Sequence, residues 1–195
     1  MNFNRNPLRL HKQGYKNLGI AAAIAFFMLL TRGSHVLTPV ALPDASLALF
    51  LLGGLYLRRW AWFAAFFVLG SLIDFGSAAI DPIQGFCLTD GYWGMIPAYG
   101  VMWLGGRWLA RQENAFSAVP YAIVSLFTTV LAFVISTQTY YLFSGRFPNN
   151  GVSETILYGW NYLPEYVGFA AMYFGIFWAA AFVVRSMKLK PSVRA

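Results

Sequence analysis

One cysteine and two histidines are the only thiol and imidazole groups in 195 residues, and only 11% of the chain is charged. With a single thiol, Cys87, no intramolecular disulfide can form, so that residue serves as a ligand, as a reactive group or as packing. His11 and His35 are not spaced as a metal-binding pair, and no C-x-x-C, H-E-x-x-H, G-x-S-x-G or glycine-rich phosphate loop occurs. The scarcity of charge excludes a soluble domain, in which about a quarter of the residues are normally charged. Internal repeats and low-complexity segments are also lacking, and the longest non-apolar stretch after the N-terminus is residues 144–154.

What is abundant is apolar, at 58% of the chain. Six stretches, 18–37, 44–58, 60–80, 92–110, 117–143 and 157–185, read as membrane spans. A hydrocarbon core about 30 Å thick takes roughly 20 helical residues to cross. The second stretch is short at its charged end, where Arg58-Arg59 alone separates it from the third, as in a tight hairpin. The sequence therefore predicts an all-α integral membrane protein, a six-helix transmembrane bundle over 18–185 with a cytoplasmic segment 1–17 and a basic tail 186–195. All of the fourteen cations except Arg32 and Arg146 fall at the N-terminus, at Arg58-Arg59, at Arg107 and Arg111, or after span six. By the positive-inside rule both termini are cytoplasmic. Asp44, Asp81, Asp90 and Glu154 fall in or beside the outer loops, so the net charge of +7 is a topology signal that needs no nucleic acid. A signal peptide over 1–34 is the competing reading, but no small-x-small cleavage site follows the apolar core, and the first span is expected to be retained.

Small residues, Ala21, Ala22, Ala23 and Ala25 in span one and Gly94, Gly100, Gly105 and Gly106 in span four, suit close helix packing. Polar residues inside the spans gather toward the outer half: Ser71, Asp74 and Ser77, the run from Ser136 to Tyr141, and Trp160, Asn161, Tyr162, Glu165 and Tyr166. Each costs several kcal/mol in lipid unless it meets a partner or a water-filled cavity, so their clustering predicts an outward-facing binding cavity above an apolar plug. Two simpler uses compete. Tyr92, Trp93, Tyr140, Tyr141, Trp160, Tyr162 and Tyr166 suit an interfacial aromatic belt, and Asp74 or Glu165 could pair with Arg32.

Cys87 lies in Gly85-Phe86-Cys87-Leu88-Thr89-Asp90, a polar break between apolar runs, on the same side as His35. A soft thiolate and an imidazole reaching one cavity suit the axial positions of a transition metal already held in a macrocycle. Read singly, Cys87 is equally an inert buried thiol and His35 a hydrogen-bonded core residue. Three other functions fit the same residues: a membrane-bound thiol enzyme with Cys87 as nucleophile, a heme- or quinone-binding subunit, and an assembly subunit.

Six spans with both termini inside, about 190 residues and an alanine-rich first span resemble the substrate-binding S-components of energy-coupling-factor (ECF) vitamin transporters. More particularly, Gly85-Phe86-Cys87-Leu88-Thr89-Asp90-Gly91-Tyr92-Trp93, with Arg32-Gly33-Ser34-His35, is similar to BtuM, a solitary S-component-like family of Gram-negative inner membranes associated with cobalamin (vitamin B12). The resemblance implies that Cys87 is an axial ligand of the corrin cobalt, that cobalamin is held base-off, and that His35 faces the opposite side of the metal. It implies transport rather than turnover, with loss of cyanide from cyanocobalamin as an accompanying ligand exchange or reduction at Cys87. Cobalamin's amide edge would then be met by Gln84, Asn149, Asn150, Asn161, Tyr140 and Tyr141, and its phosphate by Arg32 and Arg146. S-components that dock on a coupling subunit with ATPases use small residues of span one; Ala21 and Ala25 have that spacing, although a solitary relative can act without such partners.

Overall fold

The structure, a computed structural model, describes residues 7–33, 42–147 and 152–189. Among them all regular structure is helical: α1 (Pro7–Arg32), α2 (Ser46–Tyr56), α3 (Trp60–Ile80), α4 (Met95–Leu109), α5 (Ala118–Phe143), α6 (Val152–Gly159) and α7 (Leu163–Leu189). Short 3-10 turns at Pro82–Cys87, Asp90–Gly94 and Trp160–Tyr162 complete it. Four stretches, Gly14–Arg32, Trp60–Ile80, Ala118–Phe143 and Leu157–Met187, are long and apolar enough to cross a bilayer. This is a multi-pass helical membrane protein. Their outward faces carry Phe26, Leu72, Phe127 and Phe182, all exposed, as lipid contact requires.

The expected second and fourth spans are shorter than the sequence suggests. α2 has 11 residues and α4 has 15, rising about 16 and 22 Å, less than a full crossing. Apolar composition signals burial, and here most of it is burial in protein: Leu49, Phe50 and Leu51 of α2 and Met102 and Trp103 of α4 are at most 1% exposed. Glycine makes this pairing possible. A Cβ on Gly54 would lie 2.1 Å from the Trp103 carbonyl oxygen, and one on Gly106 would lie 1.9 Å from that of Leu51, so the two backbones touch directly. Between them Tyr99 stacks on Phe50, ring centroids 4.3 Å apart and nearly parallel.

Chain reversals follow local chemistry. Arg58, at a φ of 60°, turns α2 into α3 within three residues and donates from Nη2 to the Ala110 carbonyl at 2.9 Å. The last expected span, 157–185, is interrupted: α6 gives way to a 3-10 turn before α7, whose second residue is Pro164. Proline lacks the N–H that a continuous helix would use there and is tolerated in a first turn, so the helix restarts. α1 ends at Arg32, short of the residue 37 expected from hydropathy, and residues 34–41, with His35, lie outside the described residues. Ala21 is buried and Ala25 packs against the core, so this pair is used inside the bundle.

Candidate functional site

At one end of the bundle a cavity of about 620 Å³ opens, floored by the ends of α1 and α3 and walled by the 81–94 segment, α5 and α7. Its floor is a single polar network. Arg32 donates from Nε to Asp74 Oδ1 and from Nη2 to Asp74 Oδ2, both at 2.6 Å, in a bidentate pair. From Nη1 it reaches Tyr99 Oη at 2.6 Å, Ser46 Oγ at 2.9 Å and Asp44 Oδ2 at 3.4 Å. Tyr92 donates to Asp74 Oδ2 at 2.9 Å, and Ser46 donates to Asp44 Oδ1 at 2.6 Å. The Arg32 side chain is 8% exposed and that of Asp74 18%, whereas Asp44 at 46% keeps a carboxylate edge open to the cavity. One guanidinium facing two carboxylates leaves this floor with an excess of negative charge.

Cys87 closes the 3-10 turn Pro82–Cys87 and is exposed on the cavity wall. The turn is ordered by Asp81, whose carboxylate accepts from Ile83 N at 3.1 Å and from Gln84 Nε2 at 3.3 Å. The following turn is pressed against α5: a Cβ on Gly94 would lie 1.8 Å from Thr139 Oγ1, and one on Gly91 2.7 Å from the Thr139 carbonyl oxygen. Glycine at 91 and 94 therefore sets the distance between the Cys87 segment and the tyrosines of α5. Above it, Arg146 stacks over the Phe86 ring at 3.8 Å and Phe147 packs on Tyr141 at 4.6 Å. Among the described residues the Tyr140 hydroxyl, at the cavity wall, is buried without a hydrogen-bond partner.

No protein-family model and no curated protein matches this chain.

Of the residues singled out in the sequence, Cys87, Arg32, Gln84, Tyr140 and Tyr141 line the cavity. Arg146 is exposed and reaches the rim through Phe86. Asn161 is exposed on the 3-10 turn and does not line the cavity; its neighbours Tyr162 and Tyr166 do. Glu165 is likewise exposed. His35, Asn149 and Asn150 lie outside the described residues. The aromatic belt divides: Tyr92, Tyr140, Tyr141, Tyr162 and Tyr166 face the cavity, while Trp93 and Trp160 are exposed outside it. The pairing of Asp74 with Arg32 is what the floor contains. Ser46 and Tyr99, which complete it, were not singled out, and Asp44 was read only as an outer-loop acid; the one available signal was Pro43-Asp44-Ala45-Ser46, an Asx turn opening a helix.

Among the described residues no three His, Cys, Asp or Glu side chains converge to hold a bare metal ion. A metal bound at Cys87 would have to bring most of its own donors. Partial desolvation by the surrounding cavity wall pushes the accessible Cys87 thiol above its ordinary pKa, Asp74 adds to the rise, and Arg146 and Arg32 oppose it. At neutral pH the group is therefore a protonated thiol, and ligation to a metal releases its proton. Alkylation of Cys87 in ligand-free protein should accelerate with pH through an inflection above the usual thiol value of about 8.5. Arg146→Ala should slow it further at any fixed pH below that inflection. Iodoacetamide kinetics read by mass spectrometry check this, and an inflection at or below the ordinary value would contradict it.

Proposed function

We propose that this chain is an S-component-like importer of the BtuM family that captures cobalamin base-off, with the Cys87 thiolate as axial ligand to cobalt. The observation that carries the reading is an accessible thiol on the wall of a cavity of about 620 Å³, at the end of an apolar bundle, with aromatic walls and a floor that accepts hydrogen bonds. That volume lies within the usual range for small-molecule sites. A whole corrinoid exceeds it, so one edge of the macrocycle enters and the nucleotide remains at the mouth. Amide N–H groups of that edge suit the open edge of Asp44, and its amide carbonyls suit Tyr140 Oη and Gln84. Arg32 is already committed to two carboxylates, so the phosphate falls to Arg146 at the rim.

In this reading all six apolar segments belong to the membrane domain, 18–185, with α2 and α4 enclosed by the four longer helices. The cavity faces outward, and both termini lie in the cytoplasm of a bacterial inner membrane. Reporter fusions at Arg111 and Ala195 should read cytoplasmic, and one in the 144–154 loop periplasmic; an opposite reading at any of the three overturns the topology. The function itself is tested by growth at limiting cobalamin in a strain with no other importer. Expression of the chain should restore growth, and failure of the membrane-inserted protein to do so would exclude import by this chain alone.

A further inference from the structure

At the opposite end of the bundle a second hollow, about 320 Å³, lies between α5 and α7. Ala118, Ala122 and Leu126 line it from one helix and Ala171, Gly175 and Trp178 from the other. Its small side chains are exposed, and a Cβ on Gly175 would meet nothing within 4 Å, so the groove opens laterally to whatever surrounds the helices. From Ala118 to Leu126 the helix rises about 12 Å, close to the acyl depth of one leaflet.

The end of this groove is basic. Trp178 donates from Nε1 to the Phe116 carbonyl at 3.1 Å, and Arg185, two turns further along α7, stacks over the Phe116 ring at 5.7 Å and bonds to Asn114 Oδ1. Arg111 and Glu113 are both exposed in the same connection between α4 and α5, and Glu113 makes no ion pair with Arg185. Among the described residues no carboxylate lies within ion-pair distance of Arg185, because the ion pairs found there all belong to Arg32. An apolar slot one leaflet deep, anchored by an indole and ending at an uncompensated guanidinium, has the charge and shape of a phospholipid site.

We propose that the α5–α7 groove holds an acyl chain of an anionic phospholipid whose phosphate is met by Arg185. The site is separate from the cavity around Cys87 and does not depend on what that cavity carries. Binding here would add to the ties that Trp178 and Arg185 already make to Phe116 and Asn114.

The test uses the full chain reconstituted in phosphatidylcholine nanodiscs containing a minority of phosphatidylglycerol, followed by native mass spectrometry of the released protein. Wild type should retain phosphatidylglycerol in excess of its share. Ala122→Phe and Gly175→Leu fill the slot from opposite helices at exposed positions, and both should abolish that enrichment while melting near wild type. Arg185→Gln leaves the slot open and should reduce the preference for phosphatidylglycerol roughly fivefold, the worth of one arginine near an anionic surface. Equal retention of the two lipids by wild type, or undiminished enrichment in both filling variants, would overturn the proposal. So would a dimer that disappears on filling the slot, since a second copy would then be the occupant.

Discussion

Replacing Asp74 by alanine should lower the stability of the protein by about 3–5 kcal/mol, because it strands a buried guanidinium that has no other close carboxylate of comparable burial. For a chain of this size each kcal/mol moves the melting point by about 2–4 °C, so a fall on the order of 10 °C is expected in detergent. Tyr92 loses its carboxylate acceptor at the same time and keeps only the longer bond, 3.3 Å, to Ser71 Oγ of α3. Removing both charges should cost less than removing one: Arg32→Met with Asp74→Leu should regain most of the loss, since the desolvation of the ions disappears along with their attraction. Thermal melts of the two single variants and the double variant measure the coupling. A melting point for Asp74→Ala within a degree or two of wild type would show that the floor is hydrated and that the network does not hold the site in place.

Cys87→Ser should leave the melting point unchanged and weaken cobalamin binding at least about tenfold, equivalent to about 1.4 kcal/mol, because an alcohol is a much poorer donor to cobalt than a thiolate. The same substitution should slow loss of cyanide from bound cyanocobalamin. In the proposed exchange the thiol gives up its proton and its sulfur donates an electron pair to cobalt(III). That weakens the bond to the opposite ligand, and cyanide leaves with its own pair and takes a proton as hydrogen cyanide. Cobalt stays in the same oxidation state, so no reductant is required. Water fills the vacated position; if His35 reaches it instead, His35→Ala should slow the conversion or shift the final spectrum. Titration calorimetry and time-resolved absorption of the detergent-solubilised variants read both effects. Equal affinity and equal cyanide loss with and without Cys87 would reduce the thiol to packing.

The helices that sequence placed best are α3 and α5. α3 runs from Trp60 to Ile80 as expected, with Arg59 and Asp81 flanking it, and α5 starts within a residue of its expected boundary. Hydropathy gave no sign that α2 and α4 are short helices, because it registers exclusion from water, and Leu49 or Trp103 is equally excluded when enclosed by protein. The site was legible where one residue was chemically rare: Cys87 and Asp74 stand out in any apolar sequence. It was illegible where common residues act by position. Tyr99 sits in Ala98-Tyr99-Gly100 with nothing local to mark it, yet 67 residues separate it from the Arg32 it binds. The aromatic belt posed the same difficulty, since Trp93 and Tyr92 are adjacent in sequence and one faces out while the other holds Asp74. Asn161 was placed at the cavity because its amide suits a corrin's amide edge, but on the 3-10 turn it is exposed outside the cavity that Tyr162 lines.

The central claim, that the cavity beside Cys87 carries a cobalt corrinoid, is tested most directly by the absorption spectrum and cobalt content of the protein purified from cells grown with cobalamin. The expected result is a coloured protein with a corrinoid spectrum, about one cobalt per chain, and a spectral change on Cys87→Ser. A colourless, cobalt-free protein that also leaves the spectrum of added cobalamin unaltered would contradict it.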